Sequence, residues 1–265
     1  MEQKNKQLKK RPIGVFDSGV GGLSVLKQLL NDYPGESFIY LGDTARLPYG
    51  TKSPETIVKY ANKNLNFLLE NFNIKALVVA CNSVSTVIDK IDSSVPVFGV
   101  IKPGARSALD QAKENESIGL WATQATVLSE AYKIEIERIK PLCKIEMVSC
   151  PTLVSLVEEG LDEHPLLPHA FDYYFNKFEK DIDVLILGCT HFPFFKDKLI
   201  EKYPNLKLID SSISLSKSLQ GSMDLSSDGS SKGDVKILLS DEARSFKDFV
   251  KRIFNSSIEI EKVDI

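Results

Sequence analysis

Strand-length apolar runs recur along the chain, at Pro12–Phe16, Ser37–Leu41, Ala76–Ala80, Val95–Val100, Ser117–Trp121, Lys144–Val148, Val184–Leu187, Leu206–Ile209 and Val235–Leu239. Most are continuous rather than alternating. A strand that is apolar at nearly every position must be covered on both faces, which is the situation of parallel strands under helices. Segments with helical spacing lie between the runs. The clearest offers Ser53 as N-cap and Pro54 at the first helical position, followed by Ile57, Ala61, Leu65, Leu68 and Phe72 on one stripe. A second helix is expected from Ala125 to Lys140, where Val127, Ala131, Ile134 and Arg138 fall about a turn apart. Alternating strands and helices predict an α/β fold with mainly parallel sheets. No run approaches the ~20 apolar residues of a membrane span, so no membrane partner is expected.

The pattern also repeats. Ile13–Ser18 aligns with Ile118–Thr123 at an offset of 105 residues, and Lys75–Asn82 aligns with Asp183–Thr190 at an offset of 108. Two halves of similar design follow, each with a cysteine just past the end of a buried strand: Cys81 and Cys189. The length of 265 residues suits one large or two medium domains. Residues 211–233 are rich in serine and read as a short helix followed by a flexible connector. Residues 1–11 are polar and basic, run into Ile13–Phe16 without an apolar signal core, and read as a disordered tail.

Charge is nearly balanced, with 33 Lys plus Arg against 36 Asp plus Glu. That gives no electrostatic reason to expect nucleic acid. The four cysteines include no CxxC pair and the three histidines have no zinc spacing, so no metal is expected. A cytoplasmic, reducing location fits that usage.

In open parallel sheets, ligands bind beyond the carboxyl ends of the strands. Cys81 and Cys189 sit there, followed by Asn82-Ser83 and Thr190-His191 and then by helices expected around Val84–Ile91 and Phe194–Tyr203. A helix N-terminus favours a thiolate, so both thiols are expected below the usual ~8.5. Cys143 and Cys150 read as packing residues. Two thiols on opposite sides of one cleft suit removal of a proton from one face of a carbon and delivery to the other. The resulting carbanion needs hydrogen-bond donors around its carboxylate and a dry pocket. The turn Asp17-Ser18-Gly19-Val20-Gly21-Gly22 offers backbone N–H groups and the Ser18 hydroxyl, and neither GxxxxGK[ST] nor GxGxxG occurs in it. Leu47-Pro48-Tyr49-Gly50 reads as a tight loop.

The stretches PIGVFDSGVGGLSVL (12–26), YLGDTARLPYGTKSPETI (40–57), VVACNSVST (78–86), ATVLSEAY (125–132), CPTLVSLVEEG (150–160) and LGCTHFP (187–193) resemble the glutamate racemases of the aspartate/glutamate racemase superfamily. The resemblance implies two similar α/β domains related by a pseudo-twofold axis, residues 12–103 plus 215–265 and residues 104–214, with the active site between them. It implies cofactor-independent interconversion of L- and D-glutamate for peptidoglycan, and a homodimer. Cys81 and Cys189 match the two acid/bases, Cys81 acting on D-glutamate and Cys189 on L-glutamate. Asp17 and His191 match their assisting groups, and Glu158 the carboxylate behind the histidine. Asp17, Ser18, Tyr49, Gly50, Asn82, Ser83, Thr190 and His191 match substrate-binding positions. The chain departs from the family pattern at Ser83, Val84, Lys102, Ala122 and Ser155, and none of these removes a catalytic group.

Other readings are aspartate racemisation, a PLP racemase, a binding protein, and a cysteine hydrolase with Cys189 as nucleophile and His191 as base. Against a PLP racemase, no lysine occupies the repeated strand-end position. Against the hydrolase, residues two apart in a tight loop are expected not to form such a pair.

Overall fold

The computed structural model describes residues 11–225, 232–241, 244–254 and 258–265. Its strands, in chain order, are β1 (Ile13–Asp17), β2 (Phe38–Gly42), β3 (Ala76–Val79), β4 (Val97–Gly99), β5 (Ile118–Ala122), β6 (Ile145–Ser149), β7 (Val184–Gly188), β8 (Lys207–Asp210), β9 (Val235–Leu239) and β10 (Ile260–Lys262). The helices are α1 (Leu23–Asp32), α2 (Pro54–Phe72), α3 (Asn82–Ser85), α4 (Ile101–Gln111), α5 (Gln124–Leu128), α6 (Ala131–Ile139), α7 (Pro151–Glu158), α8 (Leu167–Phe175), α9 (Lys196–Lys202), α10 (Ser211–Leu219) and α11 (Arg244–Phe254).

The strands form two sheets, ordered β10-β9-β2-β1-β3-β4 and β6-β5-β7-β8. The pairings are parallel, and β1, β3, β5 and β7 are buried along their whole length, as continuous apolar runs require. Four consecutive strands of the first sheet, from β2 to its β4 edge, follow the order of the second, β2-β1-β3-β4 against β6-β5-β7-β8. The internal repeat in the sequence is thus a repeat of topology. Its aligned residues Asp17 and Ala122 each end the second strand in that order.

The Ser53 cap forms as expected, its hydroxyl accepting from the Thr56 N–H at 3.3 Å. Helix α2 ends where Asn73 turns left-handed at φ 49°. Its Ile57, Ala61, Leu65 and Leu68 are covered, and burying a residue such as Leu65 contributes about 1.5–3 kcal/mol. The single helix expected over Ala125–Lys140 is instead two. Glu130 is left-handed at φ 52°, and the Ser129 hydroxyl donates to Thr126 O while accepting from the Ala131 N–H, offering the backbone a local alternative to helix. The helices expected after each strand-end cysteine are also shorter: α3 is a four-residue turn, and α9 begins only after a 3-10 turn at Phe192–Phe195.

After β8 the chain forms α10, whose Ser216 carbonyl accepts from the Tyr33 hydroxyl at 2.7 Å beyond α1. It then adds β9 beside β2, with Val235 opposite Phe38. Strand β10, which the run pattern did not predict, is a half-exposed edge of three residues. Arg11, placed in the tail by sequence, donates to the carbonyls of Asn73 and Ile74 at 2.6 and 2.8 Å. Residues 1–10, and residues 226–231 of the serine-rich connector, lie outside the described residues.

Candidate active site

Both repeated cysteines lie at the carboxyl ends of their sheets. Cys81 follows β3 and starts α3, Cys189 follows β7, and each is 5% exposed. They line one cavity of about 230 Å³ together with Ser18, Tyr49, Gly50, Asn82, Ser83, Glu158, Thr190 and His191. That is small beside the roughly 300–1,000 Å³ of drug-sized ligand sites, and suits a small metabolite. Leu47, Pro48, Thr51, Thr123, Gln124, Pro151, Val154 and Ser155 complete the wall.

Asp17 is fully buried behind this wall rather than part of it. Its carboxylate accepts from the Gly19 N–H at 3.0 Å and from the Thr190 hydroxyl at 3.4 Å. Burial raises the Asp17 pKa, against the pull of His191 and the Gly19 and Gly22 N–H groups. The reach of Asp17 to the cavity is through Thr190 and through its field on Cys81.

The glycine turn is set by space. A Cβ on Gly21 would stand 2.5 Å from Thr190 Oγ1 and 2.7 Å from His191 Nδ1, and one on Gly22 would stand 2.5 Å from Asp17 Cβ. The turn therefore lies directly against the loop that carries Cys189.

The expectation of depressed thiol pKa values fails at Cys81. Burial and the Asp17 charge push its thiol up to about 12, outweighing the Val84 N–H and the Ser18 hydroxyl. A single helical turn has too small a dipole to reverse this. The Cys81 sulfur lies 3.6 Å from Ser18 Oγ.

At the second thiol, Cys189 Sγ stands 3.5 Å from His191 Nδ1. Residues two apart in this loop do pair, contrary to expectation, because the chain turns at once into the 3-10 helix after His191. His191 Nε2 is 3.2 Å from Glu158 Oε1 at the end of α7, although its N–H is not aligned on that oxygen. Burial disfavours the imidazolium, but the Cys189 sulfur and the Glu158 carboxylate outweigh it and raise His191 to about 10.

Asn82 Oδ1 accepts from the Tyr132 hydroxyl at 2.9 Å, while its Nδ2 has no partner. Ser83 Oγ meets Thr123 Oγ1 at 2.9 Å. The Tyr49 hydroxyl turns away from the cavity to donate to Asp43, which Asn64 Nδ2 and Ser240 Oγ also reach. The Tyr49 hydroxyl proton is thus committed to Asp43, while the residue itself lines the cavity.

Sequence reasoning assigned no role to Thr123 or Tyr132. Thr123 had a signal, since the repeat aligns it with Ser18. Tyr132 closes one of the quoted stretches but has nothing local to mark it. Among the described residues no cluster of side chains fits a metal ion, and no helix is long and apolar enough to cross a membrane.

Fold and site define an α/β protein whose cavity is lined from the carboxyl ends of two sheets of like strand order. The family model for Asp/Glu/hydantoin racemase matches residues 13–215, and the chain belongs to that family. A glutamate racemase of Persephonella marina is 42% identical over 258 residues, covering 96% of this chain and 97% of the relative. Two solved structures are similar. A glutamate racemase isoform of Bacillus anthracis has a TM-score of 0.89 at 31% identity, covering 97% of this chain and 98% of that one. The Francisella tularensis glutamate racemase, in complex with D-glutamate, has a TM-score of 0.87 at 32% identity over the same shares.

Proposed function

We propose that this protein interconverts L- and D-glutamate without a cofactor, by a two-base mechanism between Cys81 and Cys189. The observation that carries the reading is the placement of two thiols, from equivalent strand ends of the two sheets, on one buried cavity. Each has its own polar neighbours: Ser18 at Cys81, where the Asp17 charge acts against the thiolate, and His191 with Glu158 at Cys189.

From D-glutamate, the Cys81 thiolate takes the Cα proton and becomes a thiol. The electron pair remains on Cα and its carboxylate. Cys189 then gives its proton to the opposite face, forming L-glutamate and leaving a Cys189 thiolate beside the His191 imidazolium. The reverse direction exchanges the roles. A Cys81 thiol with a pKa near 12 needs a cation beside it to ionise, and the substrate ammonium supplies one. The Asn82 amide and Ser83 are the donors for the carboxylate, whose charge grows in the transition state.

We assign residues 12–103 with 215–265 to one unit and 104–214 to the other. The same reading extends to D-glutamate supply for peptidoglycan in a bacterial cytoplasm and to a homodimer. A cysteine hydrolase reading gains the 3.5 Å Cys189–His191 contact but leaves Cys81 without a task.

The test is circular dichroism of purified protein with L- or D-glutamate and no additive. Racemisation is expected without PLP absorbance. Cys81→Ser and Cys189→Ser each abolish it, because a serine hydroxyl is far too weak a base, while Cys143→Ser and Cys150→Ser stay within a few fold. With a glutamate analogue bearing a leaving group, Cys189→Ser still acts on the D-isomer and Cys81→Ser on the L-isomer. Activity that requires PLP or a metal, or near wild-type racemisation by either serine variant, overturns the proposal.

A further inference from the structure

We propose that Tyr132 is a positioning residue for this reaction, holding the Asn82 amide so that its N–H2 group faces the carboxylate beside the reacting carbon. The inference rests on the glutamate racemisation proposed above.

A side-chain amide has an accepting end and a donating end, and a rotation of half a turn exchanges them. At Asn82 the choice is made by Tyr132, whose hydroxyl donates to Oδ1 at 2.9 Å. Burial raises the Tyr132 pKa, so the phenol keeps the proton it donates. Nδ2 is thereby turned to a place where no protein acceptor stands, although Asn82 is only 2% exposed. Buried donors in folded proteins are almost always satisfied, and one left open on a cavity wall is kept for an incoming acceptor. The opposite rotamer would present Oδ1 to the substrate carboxylate and repel it. Asn82 adjoins Cys81, which places its donor beside the carbon whose proton moves.

Tyr132 is itself fixed. It is fully buried, and a Cβ on Gly104 of α4 would lie 3.0 Å from its hydroxyl. Asn82 follows the six-stranded sheet, whereas Tyr132 lies on α6, which packs against α4 beside the four-stranded sheet. The bond therefore crosses the cleft, and the amide is aligned only when the two sides are together. The aligned donor acts most on the carbanion, because the carboxylate charge is greatest there.

The test is a double-mutant cycle on the full chain: wild type, Tyr132→Phe, Asn82→Ala and the double variant, assayed by circular dichroism with L-glutamate. Tyr132→Phe is expected to lower kcat about ten- to a hundredfold, with KM changing less than about threefold. In the Asn82→Ala background the same change costs less than about twofold, since no amide is left to orient. An equal loss in both backgrounds, or no loss in either, overturns the inference. If Tyr132→Phe is recovered unfolded, Gly104→Ala crowds the same hydroxyl and enters the cycle in its place. A wild-type protein inactive on glutamate overturns the proposed function and this inference with it; an active wild type with additive losses overturns the inference alone.

Discussion

Gly21→Ala isolates the contact between the glycine turn and the Cys189 loop. The added methyl group would stand 2.5 Å from Thr190 Oγ1 and 2.7 Å from His191 Cε1 and Nδ1. Ordinary contacts between such atoms are about 3.5–4.0 Å, so the loop must retreat by about 1 Å. Gly21 does not have a positive φ, so alanine meets no backbone penalty and the cost is the collision alone. Overpacking of this kind costs about 1–3 kcal/mol. At about 2–4 °C per kcal/mol for a chain of this size, Tm falls by about 2–12 °C. A 1 Å displacement of catalytic groups costs about a hundredfold in rate, so kcat/KM for glutamate should fall by about that factor. The assays are calorimetric melting and circular dichroism of glutamate. Gly221→Ala is the control, because its methyl group meets nothing within 4 Å, and it should leave both readings unchanged. A Gly21→Ala protein with wild-type Tm and activity within about threefold would refute the close-approach account of the turn.

Glu158→Gln should lower the His191 pKa by removing one of the two groups that raise it. A pKa raised from 6.5 to about 10 adds stability that is complete below pH 6.5 and is lost as pH rises towards 10. The wild-type Tm should therefore drop between pH 7 and 10, and the Glu158→Gln Tm should drop less; equal slopes in thermal melts would refute the pairing. Aspartate is one methylene shorter than glutamate and leaves polar groups of the cavity unpaired, so kcat/KM should favour glutamate by at least about tenfold. Equal turnover of the two amino acids would remove that assignment. Arg252→Ala takes the partner, at 2.6 Å, from the largely buried Asp162 carboxylate, and should cost about 1–3 kcal/mol in urea unfolding. No shift of the midpoint would show the pair to be without effect.

The sheet strands were legible because burial on two faces leaves an unmistakable composition. Val78 and Val79, or Leu185 and Ile186, have no polar neighbour to spare for solvent. Strand β10 was not legible, since an exposed edge of three residues carries no such pressure. The break at Glu130 was missed for a different reason. The apolar period continues across it, and only the Ser129 side chain diverts the backbone. The cavity residues were found where the chain places them beside a strand end, as at Cys81-Asn82-Ser83 and Thr190-His191. The turn of the Tyr49 hydroxyl away from the cavity, towards an Asp43 held by Asn64 and Ser240, and the Tyr132–Asn82 bond depend on residues distant in sequence, and local pattern does not encode them. The Cys81 pKa was misjudged because a helix start was visible in the sequence while the depth of burial was not.

The two halves share a strand order but surround their thiols differently. Asp17 ends β1 where Ala122 ends β5, and Ser83 stands two residues past Cys81 where His191 stands two past Cys189. L- and D-glutamate are mirror images of equal free energy, so detailed balance requires the same kcat/KM in both directions whatever surrounds the thiols. Under the proposed mechanism, the contrast between a carboxylate on one side and an imidazole on the other has no effect on which enantiomer accumulates. It surfaces only in how each direction divides between kcat and KM, and in which sulfur holds the proton at rest. Net flux is then imposed from outside, by whatever consumes one enantiomer.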